Sequence, residues 1–392
     1  MFGAALASEL GDGVIPVALA FAVLDLTGSP TDLGIVLGAR TLALVAALLI
    51  GGVLADRIGQ RAVMIGADLV RLAGQATIGV LLVTHAGTVW EIAASQALLG
   101  AASGFFNPAS SGLLPAVAGE HLQEANALRG MAMAGGNIIG PLLGAALVLA
   151  AGPGEALLLD AASYGVSALL LSRVTVQRRE AVAARSFLSE LREGFAEVRS
   201  RTWVWTTVVT ASLSNALAAS FPVLGAVVAK RELGGAGAWG AILTAQAVGF
   251  LIGGTTLLRL KPRRPLLVGT LACATAGLPP VLLAAPAPVA VIAVAAGLAG
   301  IGAMVFNTLW ETTLQQHVPV QARSRVSSYD WFGSLAIQPL GYVLIGPLAG
   351  AVGVSTALYV CGALEFALVV ALASVRDVRT LPPLPVPLGR VP

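Results

Sequence analysis

Few residues in this chain can do ionic or acid–base chemistry, and several of them sit where charge is costly. Asp12 and Glu9, Arg40, Asp68 and Arg71, and Glu365 all fall inside long apolar stretches of a 392-residue sequence. A charge at bilayer depth costs about 3 kcal/mol or more, so each is a candidate for function. Asp12 lies about ten residues into the first apolar run, roughly 15 Å deep on the helix rise. It is the first choice for a carboxylate that takes up and releases a proton, with Glu9 one turn away on a similar face. The plain alternative for Asp12 is a structural carboxylate that holds helices together. Arg40 is a candidate counter-charge, but its depth differs from that of Asp12 by about 10 Å, which makes a direct pair marginal. Asp68 and Arg71, three residues apart, are expected to pair locally near the membrane surface.

Glu365, near the centre of the last apolar run, has no assigned task. Gln96, Asn215 and Gln246 are neutral polar residues at depth, able to bind a substrate or to bond helix to helix. Asn215 is the strongest of these, since the seventh run is expected to line a cavity. Asp160, Glu91 and Asp330 lie nearer the ends of runs, where snorkelling lowers the cost, and are expected at the interface.

These residues need elements that hold them in lipid. The chain is 57% hydrophobic and 11% charged, with a mean hydropathy of +0.86. A soluble domain carries roughly 25% charged residues, so a water-covered surface is excluded. The class is an all-α multi-spanning membrane protein packed through small residues. The net charge of +3 is dispersed between apolar runs and gives no nucleic-acid footprint. Cys273 and Cys361 read as buried small hydrophobes, and His85, His121 and His317 form no metal-ligand spacing. No cofactor or metal is expected. The sequence has no Gly-x-x-x-x-Gly-Lys-Ser/Thr loop, which argues against an ATP-driven pump in this chain, and no paired interfacial carboxylates suggest an enzyme.

Twelve runs long enough to span can be placed at approximately 3–25, 33–55, 62–83, 89–110, 127–150, 155–173, 203–229, 238–258, 265–285, 288–311, 329–350 and 354–375. With the N-terminus cytoplasmic, the inner segments hold about 19 of the 23 Lys and Arg residues, while the outer loops hold Lys230 and Arg231. Both termini are therefore expected inside. The first run lacks the basic flank of a cleaved signal peptide and is read as a retained span, with the true start upstream. Residues 174–202 form the one long connection, polar and basic. Phe187, Leu188, Leu191, Phe195 and Val198 fall near helical spacing there and predict an amphipathic cytoplasmic helix. The expected division is 1–173, linker 174–202, 203–375 and a proline-rich disordered tail, 376–392.

An internal repeat supports two halves. Gly51-Gly52 followed by Arg57 and Arg61 recurs as Gly253-Gly254 followed by Arg259 and Arg263. Gly100 and Phe106-Asn107 recur as Gly300 and Phe306-Asn307, at a similar offset. Duplicated transporter halves place a substrate site between them near the midplane.

The turn from Gly52 to Arg61 resembles the signature loop of the major facilitator superfamily, Gly-x-Leu-Ala-Asp-Arg-x-Gly-Arg-Arg/Lys. It matches at Gly52, Leu54, Ala55, Asp56, Arg57, Gly59 and Arg61 and departs at Gln60. The resemblance implies two pseudo-symmetric six-helix bundles and a loop that latches the halves in the outward-facing state, with Asp68 and Arg71 in support. The second copy has Leu258 in place of the acid, so only the first is expected to latch. Gly136, Gly140, Pro141 and Gly144 resemble the superfamily's antiporter signature, with Ala145 replacing its last glycine. Alone they read as ordinary small-residue packing; beside the first motif they imply export.

Leu10-Gly11-Asp12, Leu26-Thr27-Gly28-Ser29 and Gln316-His317-Val318-Pro319 are similar to the branch of macrolide efflux proteins and enterobactin exporters. The fourth run lacks the arginine that many drug exporters carry there. What the resemblance implies is a monomeric, proton-coupled exporter of a small amphipathic compound in a bacterial inner membrane, working without a nucleic-acid partner. An uptake carrier of the same fold and a non-transporting sensor or scaffold are the alternatives.

Overall fold

The computed structural model describes residues 2–174, 195–259 and 262–381, and every regular element among them is helical. The first six helices are α1 (Phe2–Thr27), α2 (Pro30–Ile58), α3 (Gln60–Val83), α4 (Val89–Ala118), α5 (Leu122–Ala150) and α6 (Pro153–Ser172). After the linker come α7 (Thr202–Glu232), α8 (Ala236–Leu257), α9 (Pro265–Ala284) and α10 (Val289–His317). The paired helices Val320–Leu335 and Gln338–Val352 together form α11, and α12 is Val354–Ser374.

Eleven helices among the described residues are long and apolar enough to cross a bilayer. The one that falls short of the expected twelve is α4. Its 30 residues exceed the length needed, but Glu91, Gln96, Ser103 and Asn107 lower its mean hydropathy. It lies close along α2, because glycines let the backbones meet. A Cβ built on Gly100 would stand 2.0 Å from the Arg40 carbonyl oxygen, and one on Gly104 would stand 2.6 Å from the Ala47 Cβ.

Local chemistry sets the ends. Thr88 and Glu91 close a capping box at the start of α4, which leaves Glu91 exposed as expected. Gly59 alone separates α2 from α3, with φ 104°, a conformation that other residues adopt only under strain. Pro279 and Pro280 cannot donate backbone hydrogen bonds one turn back, and the preceding Cys273–Gly277 tightens into a 3₁₀ turn.

Several helices outrun their apolar stretches. Helix α4 reaches Ala118, α10 reaches His317, α5 starts at Leu122 and α11 at Val320. Apolarity marks only the lipid-facing length, whereas backbone hydrogen bonding continues into polar turns. Helix α7 is divided at Ala219.

Of the proposed linker helix, Phe187, Leu188 and Leu191 lie outside the described residues. Residues 195–199 are helical, with Val198 buried beside Trp203. The tail differs from expectation at its start. Arg376–Thr380 forms a helical turn, and Val378 is fully buried in the same cluster.

The core is asymmetric between the two ends of the bundle. At the end where α1 meets α2, at Gly28, one large cluster joins Val14–Leu24 of α1 to Val223–Ala229 of α7, Trp239 of α8 and Ile345 of α11. At the end that holds the linker there are two separate clusters. One gathers Val63, Met64, Leu113 and Leu171; the other gathers Trp203, Leu266, Trp310 and Leu314. Helices α1–α6 and α7–α12 thus share a core at the Gly28 end and part at the linker end.

Candidate transport site

Five helices of the first half aim polar side chains at one another. Asp12 on α1 is the meeting point. Its carboxylate accepts a hydrogen bond from the Tyr164 hydroxyl of α6 at 2.7 Å. The Arg40 guanidinium of α2 and the Arg71 guanidinium of α3 each lie 3.8 Å away. The Arg40 to Asp12 pair therefore exists, where counting depth along each helix kept them apart. A long side chain and the tilt between helices close the gap.

From Arg40 a chain of amides runs through the interior. Arg40 donates to the Gln96 carbonyl oxygen at 2.9 Å, Gln96 donates to Gln75 at 3.2 Å, and Gln75 donates to Asp160 at 2.8 Å. Gln75 and Gln96 are fully buried and Asp160 is 1% exposed, so Asp160 is an interior residue rather than an interfacial one.

Arg71 pairs with Asp68, as their spacing predicts, and Ser167 donates to the same carboxylate at 2.6 Å. The pair is buried rather than near the surface. The Arg71 guanidinium lies over the rings of Phe106 and Tyr164, 4.2 and 4.6 Å from their centroids. Its Nε has no hydrogen-bond partner. Such stacking and fork geometry suit arginine and not lysine.

Gly11 lets this cluster form. A Cβ there would meet Ser163 Oγ at 2.2 Å and Asp160 Oδ1 at 2.4 Å. Sequence reasoning found Asp12, Arg40 and Gln96, but it did not single out Gln75 and Tyr164. The available signal was their polarity inside apolar runs.

One cavity lies within each half. The smaller, about 180 Å³, is lined by Glu9, Asp12, Arg71, Asn107 and Arg129. The larger, about 670 Å³, takes its wall from all six helices of the second half. Asn215 and Gln246 line it, and Asn215 also donates to the Ser334 carbonyl at 2.9 Å. Glu365, 3% exposed, is held there by the Ser214 hydroxyl at 2.8 Å. Asp330 is also interior, accepting from Trp310 Nε1 at 2.8 Å.

At the signature turn, Arg61 donates to the last carbonyls of α6, at Leu171 (3.1 Å) and Ser172. Arg57 is exposed. The environments of Gly52 and Asp56 lie outside the described side chains. Gly51 brings α2 against α4, where a Cβ would be 2.5 Å from the Gly104 carbonyl oxygen. Gly136, Gly140 and Gly144 seat α5 on α1. At Gly140 a Cβ would stand 2.4 Å from the Gly13 Cα. The other side of α5 meets the second half, where Thr244 donates to the Ile138 carbonyl at 3.1 Å.

The sequence profile described as Major Facilitator Superfamily matches residues 1–337. The chain belongs to the Major Facilitator Superfamily. The superfamily comprises multi-pass membrane transporters, not enzymes. Its curated relatives include multidrug efflux pump Tap of Mycolicibacterium fortuitum, 29% identical over 377 residues, covering 89% of this chain and 88% of that protein. Multidrug efflux pump Tap of Mycobacterium tuberculosis H37Rv is 28% identical over 373 residues, covering 89% and 86%.

Among solved structures, an auto-inhibited POT family peptide transporter superposes with a TM-score of 0.75 at 13% identity, covering 95% of this chain and 94% of its own. Nucleoside transporter NupG gives 0.73 at 13% identity, covering 94% and 96%. At those identities the structural likeness establishes the superfamily fold alone.

Proposed function

We propose that this chain is a secondary active exporter of a small amphipathic compound, driven by proton exchange. The relatives named as efflux pumps support export. The observation that carries proton coupling is the composition of the polar cluster, in which Asp68, Arg71 and Asp160 are buried and Asp12 and Arg40 are half-buried. Asp12 and Asp68 pair with Arg40 and Arg71, and Asp160 joins them through Gln75 and Gln96, three carboxylates to two guanidinium groups, with Glu9 and Arg129 on the same cavity adding one charge of each sign. One proton brings the cluster to neutrality, and a buried cluster is far cheaper neutral than charged.

Protonating Asp12 would loosen α1 from Arg40, Arg71 and Tyr164 together. Helix α1 packs on α5, and α5 bonds to α8, which gives the change a contiguous route to the other half. The working units are residues 1–173 and 203–375, rocking about α5–α8 and α2–α11 contacts, with 174–202 as linker and 376–392 as tail. Helix α4 crosses as the fourth of twelve spans. The distribution of basic residues supports a topology with the linker end, and both termini, in the cytoplasm of a bacterial cell. The conformation described is then the inward-open one, and one chain suffices.

Everted membrane vesicles test this. An imposed pH gradient should drive accumulation of a cargo dye, and collapsing the gradient should abolish it. Accumulation that ignores the gradient would remove proton coupling, and accumulation only in right-side-out vesicles would make the protein an uptake carrier.

A further inference from the structure

The larger cavity is unlike the cluster in the first half. It has carboxylates without counter-charges. Glu365, Asp330 and Glu311 all contribute to its wall, and among the described residues that wall holds no Lys, Arg or His. The repeat sharpens the contrast. Gly100 packs on the Arg40 carbonyl and its counterpart Gly300 on the Gln246 carbonyl, and the second-half wall carries the neutral Gln246 amide with no guanidinium among the described residues. Glu365 is buried with a single hydroxyl donor, Ser214. Aromatic faces complete the wall. Phe306 and Trp310 stack nearly parallel, with an interplanar angle of 5°, and both line the cavity together with Trp331. A volume of about 670 Å³ is that of a small-molecule site. Anionic anchors plus aromatic faces in a low-dielectric wall are the chemistry that recognises an organic cation.

We infer that this cavity is a binding site for an aromatic or bulky organic cation, with Glu365 as its anchoring anion and Trp331 and Phe306 as faces for its apolar body. The inference rests on the exporter reading and names the class of its cargo. It divides the labour: proton exchange in the first half, cargo in the second.

Cys273 lines the same cavity, and its slow alkylation, as expected of a thiol in apolar surroundings, can be followed over hours. In the detergent-solubilised full chain, the rate of Cys273 alkylation by N-ethylmaleimide would be followed by mass spectrometry. Tetraphenylphosphonium would be titrated in, with tetraphenylborate as the anion of the same shape. The cation should slow alkylation saturably and the anion should not. Glu365→Gln should raise the half-protecting concentration of the cation about tenfold or more, the size expected for losing a contact to a charged group. Quenching of tryptophan fluorescence by the cation, diminished in Trp331→Phe, gives a second readout in protein with the native Glu365.

Equal protection by cation and anion, or an unchanged half-protecting concentration in a folded Glu365→Gln protein, would overturn the assignment. So would the absence of both protection and quenching. A protein that transports on a pH gradient yet shows no cation protection refutes the cavity assignment alone. One that binds the cation at Glu365 but transports nothing refutes the exporter reading alone.

Discussion

At the residue scale, the account turns on Asp12 and its partners. Asp12→Asn keeps the shape and removes the titratable group. It should abolish gradient-driven accumulation in everted vesicles while leaving expression and helical content intact. Full transport in that variant would take Asp12 out of the coupling role. Gln96 tests the amide chain differently. Gln96→Leu removes the acceptor of the half-buried Arg40 and leaves the buried Gln75 carbonyl oxygen without its donor, and a buried polar group left unsatisfied costs about 1–3 kcal/mol. A thermal-shift measurement should show a lowered melting temperature, and an unchanged one would mean the chain is not under load. Arg71→Lys should lower the melting temperature, since a point-charge ammonium cannot cover the faces of Phe106 and Tyr164 while pairing with Asp68 as the planar guanidinium does. Much of this cluster could be read from isolated charges in apolar runs. Asp160 could not, because distance along its own helix says nothing about the neighbours that enclose it. The Arg40 to Asp12 contact escaped for the same reason.

At the scale of elements, glycine decides which helices touch. The spacing of Gly136, Gly140 and Gly144 showed one face of α5 in the sequence, but not that Gly13 of α1 would occupy it. Gly11 had no visible purpose until α6 was placed against it. Gly11→Ala forces a methyl group into Asp160 and Ser163, and overpacking of this kind costs about 1–3 kcal/mol. Gly130→Ala, which meets nothing within 4 Å, should be neutral or slightly stabilising, since alanine is the better helix former. Melting temperatures of the two variants in detergent should therefore move apart, and similar shifts would contradict the packing described. Helix ends were the least legible feature. Apolarity counts lipid contact, and α10 and α11 run on past it through polar turns held by backbone bonds.

For the whole molecule, the asymmetry of the core carries the argument. The halves share buried residues at the Gly28 end and separate at the other. That closure includes an ion pair, Lys230 to Asp25 at 2.6 Å, and a bond from Arg231 to the Gly28 carbonyl at 3.2 Å. An exposed pair of this kind adds about 0–1 kcal/mol to stability, yet the same amount shifts a two-state equilibrium by up to about fivefold. Lys230→Glu should therefore bias the population toward separation at the Gly28 end with little change in melting temperature.

The repeat, the composition and the signature turn made the helical membrane fold legible in the sequence. The state in which the chain rests was not legible, because both states bury the same kinds of residue. The most direct measurement is a pair of distances by double electron–electron resonance. One spin-label pair spans the Gly28 end, at Leu26 and Glu232; the other spans the linker end, at Ile58 and Leu258. Lowering the pH should lengthen one distance as it shortens the other, and Asp12→Asn should hold both fixed. Distances that change together, or that respond to pH equally in Asp12→Asn, would contradict the account.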